Sequence, residues 1–117
     1  MGTAVVGLLM LTTCASSAPS ADLLAAEMAI ADADRAGVAD YSSVELNKAR
    51  DKLTAALNAM QLKEMGHAQR LAQEARVDAE LASALAEVAR DRMVNEKMQK
   101  SIDVLKPEMQ RNTGEKI

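Results

Sequence analysis

The chain has 117 residues, a length that favours a single domain. Tyr41 is its only aromatic residue, and the many alanines, leucines, methionines and valines favour closely packed helices over a deep globular core. The formal net charge of −3, with no strongly basic run, argues against binding to nucleic acid or to an anionic lipid surface. The chain has one cysteine, which excludes an internal disulfide and calls for another explanation in an exported protein.

The first residues have the pattern of an export signal. An apolar run over residues 4–10 is far shorter than the ~20 residues that span a bilayer. The sequence Leu11-Thr12-Thr13-Cys14 that follows resembles the lipobox of bacterial lipoproteins. This resemblance implies a signal peptide over residues 1–13, a Cys14 that carries lipid, including palmitate, at the mature N-terminus, and a tether over residues 14–19.

Two other interpretations of this segment stay open. The general signal peptidase could cut after Ser16-Ser17-Ala18, although Pro19 would then follow the cut. Alternatively, Cys14 could be an ordinary buried cysteine, although the residues around it have the composition of a linker. In lipoproteins of this kind an aspartate after the lipidated cysteine causes retention in the inner membrane. Ala15 occupies that position, so the resemblance implies the periplasmic face of the outer membrane.

The first predicted helix begins at about Ser20 and ends near Asp40. The Ser20 hydroxyl can cap the first free amides, and Asp22 is favoured in the first turn by the helix dipole. Gly37 weakens the helix near its end. The apolar residues predicted to face inward are Leu23, Ala26, Ile30 and Ala33, with Leu24 and Met28 beside them.

The second predicted helix has the strongest start signal in the chain. Ser42-Ser43-Val44-Glu45 forms a capping box, in which the Ser42 hydroxyl accepts from the Glu45 amide and the Glu45 carboxylate accepts from the Ser42 amide. Tyr41 and Leu46 occupy the two positions of a hydrophobic staple. The helix ends at a break over residues 62–64. Its predicted inward positions are Leu46, Ala49, Leu53, Ala56, Leu57 and Met60.

The third predicted helix is much the longest, because no proline or glycine occurs between His67 and Lys106. A continuous helix there is about 60 Å long at 1.5 Å per residue. Asp78 falls within its apolar stripe and is predicted to contact a basic residue of helix two or to lie at the edge of the stripe. Residues 107–117 are predicted to be a flexible, frayed tail. The predicted inward positions are Ala68, Leu71, Ala72, Ala75, Ala79, Ala82, Leu85 and Ala89, widened by Val77, Leu81 and Val88.

The C-terminal part of this helix keeps its apolar spacing beyond the reach of two shorter helices. The residues concerned are Met93, Val94, Met98, Ile102, Leu105 and Met109. One interpretation is that helix one shifts to cover them, or that the end frays. The other is an adaptable surface, with Met98, Ile102 and Leu105 as partner-binding residues, for an envelope protein or for self-association through this helix.

Two longer stretches are similar to a family of small Gram-negative envelope lipoproteins known only by a domain of unknown function. The first is residues 41–53, which start with Tyr41-Ser42-Ser43-Val44-Glu45, and the second is residues 68–82. Members are often encoded beside, or fused to, OmpA-like peptidoglycan-binding proteins, which makes an OmpA-like envelope protein an expected partner. The family has no established functional residues to carry over. Lys63 stands in the second turn, where relatives often have glycine.

No set of residues points to catalysis. Glu64 and His67 have the spacing of a metal-binding pair, but His67 is the only histidine, so a second pair is lacking and too few ligands remain. The sequence has no glycine-rich phosphate loop, and no histidine is placed to activate a serine. We therefore expect no enzyme activity, no cofactor and no metal.

Together these patterns predict an all-α fold over residues 20–106. The expected architecture is a three-helix antiparallel bundle, or a helical hairpin, with a long, coiled-coil-like C-terminal helix. The expected function is that of a noncatalytic, lipid-anchored periplasmic envelope protein with a structural or protein-interaction role. The alternative is a soluble periplasmic binding module, such as an inhibitor or a chaperone-like adaptor, that does not need the anchor.

Overall fold

The computed structural model describes residues 18–114, in which three α-helices and no β-strand are present. Helix α1 spans Pro19–Arg35, α2 spans Ala39–Gln61 and α3 spans Met65–Gly114. The all-α fold with a long C-terminal helix is therefore confirmed. The predicted signal peptide and Cys14 lie outside the described residues, and α1 begins at Pro19, the last residue of the predicted tether.

The helices run up, down and up. At one end the Gln73 side-chain amide donates to Asp22, over 3.4 Å, so the beginnings of α1 and α3 lie together. At the other end the Arg90 guanidinium donates to the carbonyl of Ala36, just after α1. Tyr41, near the start of α2, has its ring centroid 5.0 Å from the same guanidinium carbon. Helices α1 and α3 are therefore parallel, and α2 runs antiparallel to both.

Helix α1 starts one residue earlier than predicted. Ala18 is the N-cap residue and makes no side-chain capping bond, while Pro19 occupies the first turn. Proline suits this position because its fixed φ is already helical and its missing N–H would have no partner there. The predicted capping role of Ser20 is wrong, because Ser20 lies inside the helix. The predicted inward stripe is confirmed, since the buried residues of α1 are Leu23, Ala26, Ile30 and Ala33.

The turn between α1 and α2 comes earlier than predicted, because α1 ends at Arg35 and not at Asp40. Gly37 adopts a φ of 65°. The Val38 amide donates to Ala33 over 3.0 Å, and the Gly37 amide donates to Asp34 over 3.1 Å. This pair of bonds is a Schellman motif, which satisfies the last carbonyls of a helix. The motif also turns Val38 into the core, where its side chain is 1% exposed.

Helix α2 begins at Ala39 and kinks at Ser42, where φ is −144° and ψ is 54°. The Ser42 amide donates to the Val38 carbonyl over 2.8 Å, so the predicted bond from this amide to the Glu45 carboxylate is wrong. Instead the Ser42 hydroxyl donates to that carboxylate over 2.9 Å. This hydrogen bond is the main reason that the pKa of Glu45 lies below its ordinary value. The residue pair was identified correctly, but its bonding pattern differs because the helix starts a turn earlier.

The turn between α2 and α3 has the same geometry as the turn between α1 and α2, but a lysine takes the place of the glycine. Lys63 adopts a φ of 61°. The Glu64 amide donates to Ala59 over 2.9 Å, and the Lys63 amide donates to Met60 over 3.0 Å, which is again a Schellman motif. Because Lys63 has a Cβ, this left-handed conformation costs about 1 kcal/mol that glycine would avoid.

The fully buried residues of α3 are all alanines, and the half-buried Leu71 packs beside them as predicted. The buried residues of α3 are Ala68, Ala72, Ala75, Ala79, Ala82 and Ala86. The predicted core positions Val77, Leu81, Leu85 and Val88 are wrong, because these side chains are 43–60% exposed. Small side chains let the neighbouring helices approach closely, which leaves no room for larger ones on that face.

Helix α2 also leaves some of its predicted core residues exposed. Leu46, Ala49 and Ala56 are buried as predicted, whereas Leu57 and Met60 are 39% and 37% exposed, so their predicted burial is wrong. The larger of two buried clusters lies at the end where Arg90 meets α1 and contains Leu46 and Val38, the largest fully buried side chains. The best-packed part of the described chain is therefore the end from which α3 leaves its neighbours.

Helix α3 continues through Pro107 to Gly114, so the prediction that residues 107–114 form a frayed tail is wrong as to their conformation. Pro107 has no N–H to donate to the carbonyl of Asp103, four residues earlier. Both residues are exposed, so water can satisfy that carbonyl and the helix tolerates the proline.

Candidate interaction surface on helix α3

Helix α3 extends well beyond α1 and α2. Ala86 is its last buried residue, Ala89 and Arg90 are half-buried, and every residue from 91 to 114 is exposed. We call residues 91–114 the arm. At 1.5 Å per residue the arm is about 36 Å long.

The three predicted contact residues lie together on the arm. Met98, Ile102 and Leu105 are 59%, 53% and 57% exposed. Their spacing of four and three residues places them on one face of the helix, and Met109, 68% exposed, continues that face. The interpretation in which helix one shifts to cover them is wrong. What binds this face stays a prediction.

Two apolar residues of the arm lie on the other side of the helix. Met93 is 45% exposed and Val104 is 70% exposed. At 100° per residue they point about 140° away from the face of Met98, Ile102 and Leu105. Met93 therefore lies off the predicted face, and Val104 is an apolar residue of the arm that the predicted spacing leaves out. The two residues provide matched controls for substitutions on the predicted face.

The apolar face extends further towards the N-terminus than predicted. Val77, Leu81 and Val88 lie opposite the buried alanines and are 60%, 47% and 48% exposed. The spacing of these residues was visible in the sequence, but it was interpreted as a widened core stripe. The sequence does not say which of two apolar faces packs inside, because both have helical periodicity.

Arg90 holds α3 at the point where the arm begins. Its guanidinium donates to the carbonyl of Ala36, at the C-terminus of α1, and lies over the Tyr41 ring at 5.0 Å. A cation is favoured at a helix C-terminus and over an aromatic face. Three elements therefore meet at Arg90. This contact fixes the direction in which the arm leaves the bundle.

An ion cluster joins α2 to α3. The Lys52 ammonium nitrogen lies 2.8 Å from Asp78 Oδ2 and 3.2 Å from Glu74 Oε2. The pKa of Lys52 is raised above its ordinary value, chiefly by Asp78. Of the two placements predicted for Asp78, contact with a basic residue of helix two is the one observed. The Asp78 side chain is 20% exposed, and its role here is to fix the packing of the two helices.

Within residues 18–114, no three His, Cys, Asp or Glu side chains lie close enough together to hold a metal ion. His67 lies exposed in the first turn of α3. Over the same range, none of the helices has both the length and the apolar character needed to cross a membrane.

Residues 21–98 match the family described as a domain of unknown function, DUF4398. The match covers well over half of the chain. The chain belongs to this family. No curated protein and no solved structure gives a significant match. The matched DUF4398 region spans the packed part of all three helices and the beginning of the arm, and it ends at Met98.

Proposed function

We propose that this DUF4398 protein is a noncatalytic, lipid-anchored envelope protein that binds a protein partner in the periplasm through its arm. The anchor is the lipid on Cys14, and the contact surface is the face of Met98, Ile102 and Leu105. One observation carries the proposal: these side chains are more than half exposed, on a part of α3 that neither α1 nor α2 covers.

An unpartnered helix of this kind gains from association. A helix in a protein gains most of its stability from packing of its apolar face against a neighbour. Burial of apolar surface contributes about 25 cal/mol per Å². Methionine adds adaptability, because its unbranched side chain fits irregular surfaces. The chemistry therefore favours a partner that offers a helix or an apolar groove.

The direction of the arm suits a membrane anchor. A lipid on Cys14 would hold the start of α1, at Pro19, close to the membrane surface. Because α3 runs parallel to α1, the arm then points away from that membrane. From Gln73, which lies beside the start of α1, to Gly114 the helix extends about 60 Å at 1.5 Å per residue. The arm could thus meet a periplasmic partner, and an OmpA-like protein is the class suggested by the family resemblance.

Membrane fractionation tests the anchor. We expect the wild-type protein in the outer-membrane fraction, Cys14→Ala in the soluble periplasmic fraction, and Ala15→Asp in the inner membrane. If the wild type is soluble and Cys14→Ala behaves identically, the protein is instead a soluble periplasmic binding module. Wild type in the inner membrane would overturn the proposed sorting.

Crosslinking in intact envelopes tests the arm. The variant Met98→Glu/Ile102→Glu places charges on the proposed contact face, and Met93→Glu/Val104→Glu places the same charges on the other side. We expect the first variant to lose its crosslinked partners and the second to keep them. Identical crosslinks from wild type and both variants would show that the arm is not a contact surface.

A further inference from the structure

We propose that the occupant of the exposed face of α3 is a second copy of the chain, paired in parallel and in register as a two-stranded coiled coil from Val77 to Met109. This inference rests on the proposed function, because it takes the arm as the contact surface. It goes further by naming the partner, its orientation and the part of the packed bundle that takes part.

Within the bundle, the exposed face has the spacing of a coiled-coil seam. Val77, Leu81, Ala84 and Val88 follow one another at steps of four, three and four residues, and all four are exposed. These steps alternate between the a and d positions of a heptad, with Leu81 and Val88 at a. The face lies opposite the alanines that contact α1 and α2, so neither helix blocks it.

The same heptad continues without a break into the arm. Seven-residue steps from Val88 lead to Asn95, Ile102 and Met109 at the a positions. Met98 and Leu105 occupy d positions. A seven-residue repeat drifts by about 20° per heptad on a straight helix, which two such helices compensate by winding around each other with a left-handed supercoil.

The residue types favour two parallel strands. β-branched residues at a, here Val88 and Ile102, together with leucine at d are typical of parallel dimers, and Leu105 is the one leucine among the d positions of this seam. A single polar asparagine at an a position fixes register, because it pairs with its counterpart. Asn95 has this position. It would pair with the second copy's Asn95 and align the two arms.

The charges beside the seam also favour the parallel orientation. Parallel strands bring position g next to e of the other strand, so Glu87 would lie beside the second copy's Arg92. An antiparallel pair would instead bring e next to e and g next to g. Arg92 would then face the second copy's Arg92, and Glu80 would face the second copy's Glu108. Beside the seam, the parallel arrangement therefore replaces these like-charge contacts with the opposite-charge pair of Glu87 and Arg92.

Asp91 marks the weak point of the seam. It occupies a d position between Val88 and Asn95, so in the parallel dimer it faces its own counterpart. Like charges directly opposite each other destabilise the pair. Replacement of Asp91 by leucine should therefore tighten association at least tenfold.

Disulfide trapping in the full-length chain tests both partner and orientation. The parent is Cys14→Ala, which removes the only cysteine, and Met98→Cys is added to it. In the parallel dimer the two Cys side chains at position 98 are adjacent, so mild oxidation should link most chains into dimers. The matched control Val104→Cys, on the far side of the arm, should stay monomeric on a non-reducing gel.

A mixture of Met98→Cys and Val88→Cys chains identifies the reverse orientation. An antiparallel seam centred between residues 91 and 95 places position 98 beside position 88. Disulfides formed only in this mixture, and not by Met98→Cys alone, would overturn the parallel arrangement.

Sedimentation of the parent chain supplies the second measurement. We expect a reversible dimer that Asp91→Leu strengthens and that Met98→Glu/Ile102→Glu abolishes. A monomer at all concentrations with no disulfide from any pair would overturn the second copy as occupant. If the chain is monomeric but Met98→Glu/Ile102→Glu loses crosslinks to other envelope proteins, the proposed function is still supported. If those crosslinks are unchanged, the proposed function is refuted together with the dimer.

Discussion

The two halves of α3 have the same helical spacing of apolar residues, but only the first half packs against other helices. In the packed half, residues 65–90, the fully buried residues are alanines and most larger apolar side chains point outward. In the arm, residues 91–114, large apolar side chains occur with no neighbouring helix to cover them. Within α3, small side-chain size rather than apolar character therefore decides which residues are fully buried. Four predictions test this contrast.

The largest effect is expected from enlarging the alanine face. Ala79 is fully buried, so Ala79→Leu should lower the free energy of unfolding by about 1–3 kcal/mol, because the neighbouring helices must move apart. Urea unfolding followed by circular dichroism measures the change. Ala31→Leu, at an exposed position of α1, is the matched control and should have little effect. Equal effects from the two variants would mean that close approach at the alanine face is not what holds the bundle.

The hydrogen bond at the α2 kink should contribute less to the free energy of unfolding than the close packing at Ala79. Ser42 is 5% exposed and donates to the Glu45 carboxylate, so Ser42→Ala should cost about 1 kcal/mol, the usual net contribution of one hydrogen bond. Thermal unfolding provides the measurement, and Ser43→Ala, at the exposed neighbouring position, is the control. The role of this bond is refuted if both variants unfold at the wild-type midpoint.

The two turns of the packed region should respond in opposite directions. Lys63→Gly should stabilise the chain by about 1 kcal/mol, because glycine adopts positive φ without strain. Gly37→Ala should destabilise it by a similar amount through backbone strain alone, since the added Cβ would lie 3.6 Å from Asp40 Oδ2 and 3.8 Å from Arg90 Nη2, which is ordinary contact. Chemical denaturation measures the change in the free energy of unfolding for each variant. A change of the same sign in both would contradict the shared Schellman geometry.

Removal of the arm should have the smallest effect on the packed region. A chain that ends after Arg90 keeps every buried residue of α3, so its free energy of unfolding should match that of the full chain to within about 0.5 kcal/mol. The comparison is made at concentrations where both chains sediment as monomers. If truncation lowers the free energy of unfolding as much as Ala79→Leu does, the arm stabilises the bundle. The two halves of α3 would then not have separate roles.

Local signals explain which parts of the fold could be predicted. The inward stripe of α1 is predictable because its members, at positions 23, 26, 30 and 33, recur at steps of three and four residues. The pairing of Asp78 with a basic residue was expected because a charge in an apolar stripe needs a partner. The start of α2 was misplaced because the Ser42 motif looks the same whether it begins a helix or bends one.

The candidate surface was predicted in part. Met98, Ile102 and Leu105 were identified because they lie beyond the length that two shorter helices can cover. Val77, Leu81 and Val88 were assigned to the core, because periodicity alone does not distinguish an inward face from an outward one.

The sequence by itself determined three helices, their approximate ends and the excess length of the third, because these depend on spacing, on turn residues and on proline and glycine. Only the tertiary structure decided which face of α3 is buried. That choice depends on how closely three helices can approach one another, and alanines at Ala72, Ala79 and Ala86 allow an approach that valine and leucine would prevent.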